Sequence, residues 1–257
     1  GNTLSEYGGL TEEDLRRKYK FILSNPPFAG TIPKDSMRSD LPTNSKKSEL
    51  LFLSVMMQSL APGGMCAVVV PEGLLFGSTR AHVGLRKKLL QDFEILAVIS
   101  LPAGVFEPYA GVKTSVLVFR KPISAKRVKN VWFYEIKNDG YDPDKIVGGL
   151  RPETPEQNDI PAMLTEWKHY KESGFKDPPG VEGKSILQPG TDEPKSWFVS
   201  KNILKDEDFN LSATRYKPQV GEKPPDDDPK ELIESTVNLE EEIIKGLKDL
   251  MSVMENI

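Results

Sequence analysis

The residues best suited to chemistry are Asn25-Pro26-Pro27-Phe28, directly after the apolar run Lys20-Phe21-Ile22-Leu23-Ser24. A given four-residue string arises by chance in a chain of this length on the order of once in a thousand sequences. One reading is a rigid turn. Asn before Pro is pushed out of the α region and Pro fixes φ, so the loop is stiff and extended. The other reading is a ligand site, because α/β sheets bind ligands at the carboxyl ends of their strands. Several other chemistries are not expected. Cys66 is the single cysteine and lies inside the strand-like run MCAVVV, so it reads as core. His82 and His169 are the only histidines and stand far apart, which disfavours a histidine triad or metal site. Neither GxGxxG nor GxxxxGK[ST] occurs, so neither a dinucleotide nor a P-loop site can be argued.

Positioning Asn25 requires a sheet, and the first half of the chain supplies one. Lys20–Ser24 reads as a buried strand. Ser48–Leu60 reads as a buried helix with a Ser cap at its start, stopped by Pro62-Gly63-Gly64. Met65–Val70, Ile95–Leu101, Thr114–Arg120 and Val131–Ile136 read as strands, the β-branched runs as strands covered on both faces. Arg80–Gln91 reads as an amphipathic helix with Arg86, Lys87 and Lys88 outward. Strand and helix alternate as in an open, largely parallel α/β sheet. After Asp139, Pro, Gly, Asp and Glu dominate, predicting an irregular region with one short helix near Ala162–Lys171. Glu222–Pro229 is an acidic, Pro-rich linker. Beyond it, Leu232, Thr236, Leu239, Ile243, Gly246, Leu250, Val253 and Ile257 follow alternating spacings of four and three. That stripe suits a helix packed on its own domain or one packed on a partner.

Composition bounds the class. The chain has 257 residues, 38% hydrophobic and 28% charged, as in a soluble globular protein. No apolar run approaches the ~18 residues that span a bilayer. A single cysteine suits a reducing cytoplasm. The net charge of −4, from 34 basic and 38 acidic residues, leaves nucleic-acid contact to a local patch or a partner. Two basic sets are candidates for phosphate contact or plain solvated surface. One is Lys113, Arg120, Lys121, Lys126, Arg127 and Lys129; the other is Arg80, Arg86, Lys87 and Lys88. Pro71-Glu72-Gly73 is a strand-ending turn or an active-site wall beside Asn25. Trp167 and Trp197 read as core anchors in preference to base stackers.

Asn-Pro-Pro-Phe after a strand resembles the catalytic motif of S-adenosylmethionine-dependent amino methyltransferases, above all adenine-N6 DNA methyltransferases. The resemblance implies a specific chemistry. An adenine amine is a poor nucleophile because its lone pair is delocalised into the ring. The side-chain oxygen of Asn25 and the carbonyl of Pro26 would accept its two N–H groups and orient the lone pair. Phe28 would stack on a base flipped from the duplex. Further stretches are similar to the modification (M) subunit of type I restriction-modification systems: Glu49–Leu60, Pro62-Gly63-Gly64, Val68–Phe76, Leu85–Leu90, Leu101–Phe106, Gly111–Phe119, Ser196–Val199 and Leu211–Lys217. In that reading the loop holding Phe106 and Tyr109 borders the target base, and both are stacking candidates. DNA, the specificity (S) subunit through the terminal helix, and the restriction (R) subunit are the implied partners.

The fold class expected is α/β: a partial Rossmann-like methyltransferase sheet, later strands only, followed by the irregular region and long terminal helix. The expected domains are 1–138, the C-terminal half of the catalytic domain; 139–221, an extension packed on it; and 222–257, the acidic linker and docking helix. The Gly-containing cofactor loop that precedes Asn-Pro-Pro-Phe in that family is absent, since only twenty-four residues precede Asn25. Asn2 is the remaining candidate for the cofactor's adenine, and the chain reads as a fragment. Alone it is expected not to bind S-adenosylmethionine at micromolar concentrations, which calorimetric titration checks. Two alternatives remain: a protein-glutamine or RNA amino methyltransferase, and a non-catalytic docking fragment.

Overall fold

The computed structural model describes residues 3–5, 11–28, 30–41, 45–107, 110–124, 128–142, 145–148, 150–176, 185–187 and 194–218, and beyond them residues 237, 240 and 243–245. The chain falls into two compact units, Gly1–Pro218 and Gln219–Ile257.

In chain order the first unit contains α1 (Glu12–Arg16), β1 (Tyr19–Ser24), α2 (Ser48–Ser59), β2 (Leu60–Pro71), α3 (Glu72–Phe76), α4 (Arg80–Asp92), β3 (Glu94–Ser100), β4 (Thr114–Arg120), β5 (Asn130–Glu135), β6 (Asp139–Tyr141), β7 (Glu153–Asn158), α5 (Ile160–Glu172), β8 (Ser185–Leu187), β9 (Pro194–Ser200), α6 (Lys201–Asp206) and α7 (Ala213–Tyr216). Seven strands form one sheet in the order β1-β2-β4-β3-β5-β9-β8, and β6 and β7 pair separately. The region after Asp139 therefore carries more regular structure than its composition predicts: β9 joins the main sheet beside β5.

The sheet is mixed. β1–β2 and β3–β5 are parallel pairs, whereas β4 runs antiparallel to both of its neighbours, β2 and β3. β1, β2, β3 and β5 thus share one direction, which the sequence pattern captures. It cannot show that β4 returns between β2 and β3, reached by a short loop and not by a helical crossover.

Two cores cover the sheet. On one face α2, α3, α4, α6 and α7 pack Leu50, Leu53, Leu74, Leu89, Leu204 and Ala213 onto Val68, Val98, Leu117 and Phe133, joined by Leu211 just before α7. On the other, Met163 and Tyr170 of α5 pack with Trp132, Tyr134 and Ile99. All seven residues of β3 are buried, as its continuous apolar run requires. A bulge between Ile95 and Ala97 turns Leu96 and Ala97 to the same face. Each large apolar side chain so buried contributes about 1.5–3 kcal/mol. Trp197 stacks on Phe133 at 6.2 Å and Trp167 on Trp132 at 5.9 Å, so both tryptophans are core residues. Cys66 is fully buried, and burial pushes its thiol up to about 12, which leaves it unreactive.

Three expectations are corrected. β1 is not a buried strand: Phe21 and Leu23 are 76% and 85% exposed. β1 is the sheet's edge strand among the described residues, and α5 covers the other end of that face. Ser48 does not cap α2; it is the first helical residue, Lys47 is the cap, and Ser48 donates its backbone N–H to the Gly30 carbonyl at 3.0 Å. Arg86 does not point outward but is 2% exposed. Helical spacing places it in the stripe of His82, Leu85, Leu89 and Leu90, and charge alone misassigned it.

Candidate active site

The carboxyl ends of β1, β2, β3 and β5 and the amino end of β4 share one rim of the sheet. Asn25 follows β1 on this rim with its side chain exposed; Pro26 and Phe28 are half-buried. The β3–β4 loop turns at Gly104, whose φ of +76° suits glycine, and Glu107 N–H donates to the Gly104 carbonyl at 3.1 Å. This turn brings Phe106 edge-on to Phe28, with ring centroids 5.1 Å apart and planes at 66°. Two aromatic rings separated by 78 positions therefore form one corner beside Asn25. Tyr109 and Asn2 lie outside the described residues.

A cleft of about 840 Å³ opens next to Phe28 and is lined among others by Lys47, Glu72, His82, Lys113, Ser212 and Thr214. Asn25 and Phe106 are not among its lining residues. Glu72 begins α3 and reaches across the rim, so Pro71-Glu72-Gly73 is both strand end and cleft wall. Its Oε1 accepts from Ser115 Oγ at 2.5 Å and its Oε2 from Ser212 Oγ at 3.0 Å. The segment after Phe209 is thereby tied to α3 and, through Glu72, to β4. Leu211 N–H donates to the Leu75 carbonyl at 2.9 Å, and Lys217 pairs with Glu135 at 2.5 Å. Sequence reasoning found this segment only as a likeness; nothing in its spacing from Glu72 announces the contact.

His82 lines the cleft but is buried, with Nδ1 2.6 Å from Thr79 Oγ1 at the start of α4. Burial, reinforced by Lys47 and Arg86, pushes its imidazole below the usual value, so it is neutral at pH 7. The ring stands where any side chain on Gly77 would go: an added Cβ would come within 2.8 Å of it.

Three members of the basic sets, Arg86, Arg120 and Lys121, are bonded into the fold. Arg86 donates to four carbonyls: Phe209 at 2.8 Å, Gly77 at 2.8 Å, Leu74 at 3.1 Å and Asp208 at 3.3 Å. Arg120 pairs with buried Glu94 at 2.8 Å and lies over the Phe175 ring. Lys88 pairs with Asp92 at 2.6 Å on an exposed helix face, and Lys121 donates to the Leu60 carbonyl at 3.2 Å. Lys126 and Arg127 lie outside the described residues. Lys113 is the member that lines the cleft. Among the described residues no cluster of His, Cys, Asp and Glu suits a metal ion, and no helix is long and apolar enough to cross a membrane.

The described residues form a mixed α/β sheet with an Asn-Pro-Pro-Phe turn after its edge strand. Residues 1–224 match the N-6 DNA Methylase family, and the chain belongs to it. It is 39% identical over 116 residues to the type I restriction enzyme EcoEI methylase subunit of Escherichia coli, covering 44% of this chain and 23% of that one. It is 34% identical over 146 residues to the EcoKI methylase subunit of Escherichia coli, covering 54% and 26%. A solved chain from the type I R-M system superposes with a TM-score of 0.59 at 27% identity, covering 95% of this chain and 47% of that one. The chain thus spans about a quarter of the length of these curated relatives.

Among the described residues, an exposed amide, Asn25, and the Phe28–Phe106 corner share one rim of the sheet.

Proposed function

We propose that this chain forms the adenine-handling part of a type I M subunit, an adenine-N6 DNA methyltransferase that uses S-adenosylmethionine. The observation that carries the reading is Asn25-Pro26-Pro27-Phe28 at the end of β1, with Phe28 against Phe106. S-adenosylmethionine supplies the electrophilic methyl group. Asn25 and the Pro26 carbonyl accept the two amine hydrogens and orient the nitrogen. Phe28, Phe106 and Tyr109 bound the extruded base, and Asn2 contributes on the cofactor side. Residues 1–138 are catalytic, 139–221 extend them, and 222–257 dock. A cytoplasmic enzyme acting with the S and R subunits follows from the same reading. Nucleoside analysis of DNA treated with the complete enzyme tests it. N6-methyladenine is expected, and a methylated cytosine in its place overturns it.

The docking assignment rests on the apolar stripe beyond the acidic linker. Val237, Ile243 and Ile244 are helical and 48%, 57% and 52% exposed. Leu239, Leu250 and Met254 of the same stripe lie outside the described residues. A water-facing stripe of this kind suits helical segments of the S subunit. Ile243→Glu with Ile244→Glu places two charges in the seam. Affinity for the S subunit should fall at least about a hundredfold, on the order of 3 kcal/mol, with the melting temperature of the M subunit unchanged. A complex that survives while melting drops would assign the helix to its own chain's core.

A further inference from the structure

We infer that Thr214 presents a hydrogen-bond acceptor to an N–H group of a nucleobase, and that Glu72 fixes this polarity from behind. The inference rests on the proposed function in DNA methylation, with bound DNA reaching the cleft past Phe28. Thr214 is exposed and lines the cleft that Phe28 also lines. Its Oγ1 is 3.1 Å from Ser212 Oγ, which is 3.0 Å from Glu72 Oε2. Ser212 is 6% exposed and its backbone N–H is held by Asn210 Oδ1 at 2.8 Å, so its hydroxyl has a fixed position.

The hydrogen count then sets the direction. A glutamate carboxylate only accepts, and a hydroxyl carries one hydrogen. Ser115 gives its hydrogen to Oε1 and Ser212 gives its own to Oε2. In the contact between Ser212 and Thr214, Thr214 must therefore donate. With its hydrogen used, Thr214 Oγ1 offers only lone pairs to the cleft. The sugar-phosphate backbone within a DNA strand has oxygens but no N–H, and it lacks the 2′-hydroxyl of RNA. Donors on DNA are the amino and imino groups of the bases. An acceptor-only hydroxyl in this cleft therefore reads base, not phosphate, and Thr214 is a specificity-determining residue. Glu72 is a positioning residue that acts through Ser212.

The test uses the complete modification enzyme and two duplexes of equal length, one with the recognition site and one of random sequence, with binding read by fluorescence anisotropy. Thr214→Val keeps the shape and removes the lone pairs. It should weaken site binding about 3–10-fold, the range for one neutral hydrogen bond, and leave random-duplex binding within about twofold. Thr214→Ser, which keeps the hydroxyl, should restore the difference. Glu72→Gln can donate to Ser212 and so scrambles the order. It should also weaken site binding, and adding it to Thr214→Val should cause no further loss. Equal weakening on both duplexes would mean a backbone contact and would overturn the inference. So would no change on either duplex while the wild-type enzyme still forms N6-methyladenine. A wild-type enzyme that forms no N6-methyladenine would instead overturn the functional reading beneath it.

Discussion

Replacing Asn25 with alanine in the complete enzyme should lower the methylation rate by about 10²–10³-fold or more, the range for loss of one preorganised polar group at a reacting centre. DNA affinity should change by less than about threefold, because phosphate contacts dominate it and the role proposed for Asn25 concerns one amine. The side chain is exposed at the end of β1, so truncation disturbs no core packing. Asn25→Asp should retain part of the rate, since a carboxylate still accepts. Phe28→Ala should act differently. It removes the ring facing Phe106 and should cost about 1–3 kcal/mol of base stacking, seen as weaker extrusion of a fluorescent base analogue. Phe28→Tyr should be milder. Single-turnover methylation by Asn25→Ala at near wild-type rate would remove Asn25 from the chemistry.

Replacing Arg86 with methionine should unfold more of the molecule than any surface change. The guanidinium holds four carbonyls, and two of them belong to Asp208 and Phe209, whose φ values of 52° and 58° lie in the left-handed region. Such backbone persists only when its surroundings hold it. Methionine fills the volume but supplies no donors, so four carbonyls lose this partner, the one on Leu74 in a buried position. A cost of about 3–5 kcal/mol is expected, or about 6–20 °C in melting temperature at this size. Arg86→Lys should lie between, because three donors on one nitrogen cannot span the same carbonyls. The turn at 208–209 leads directly into Asn210–Thr214, so the variant should also loosen the Ser212–Glu72 contact. A melting shift below about 2 °C would show that the carbonyls find other partners.

The amino-acid sequence by itself determined the local elements. β4 is found at Thr114–Arg120 as read, and β1, β3 and β5 agree within one residue. β2 instead starts at Leu60, five residues before the expected Met65, and includes Pro62-Gly63-Gly64, which the sequence predicts as the stop of the preceding helix. Hydrophobic periodicity is a local signal, and covering a strand on both faces demands an unbroken apolar run, as in β3. The Asn-Pro-Pro-Phe tetrapeptide was equally legible, because its stiffness and position depend only on neighbouring residues. Tertiary structure decided what those elements meet. Phe106 reaches Phe28 only because β3 and β4 lie on the same rim as the end of β1. Glu72 and Ser212 are 140 positions apart, and only the fold closes that distance to 3.0 Å. Arg86 carries the charge of a surface residue yet is buried, because carbonyls from the nearby segment 74–77 and from the remote turn at 208–209 accept its hydrogens. Composition shows which groups a chain possesses; which of them are satisfied, and by what, depends on contacts between segments far apart in sequence.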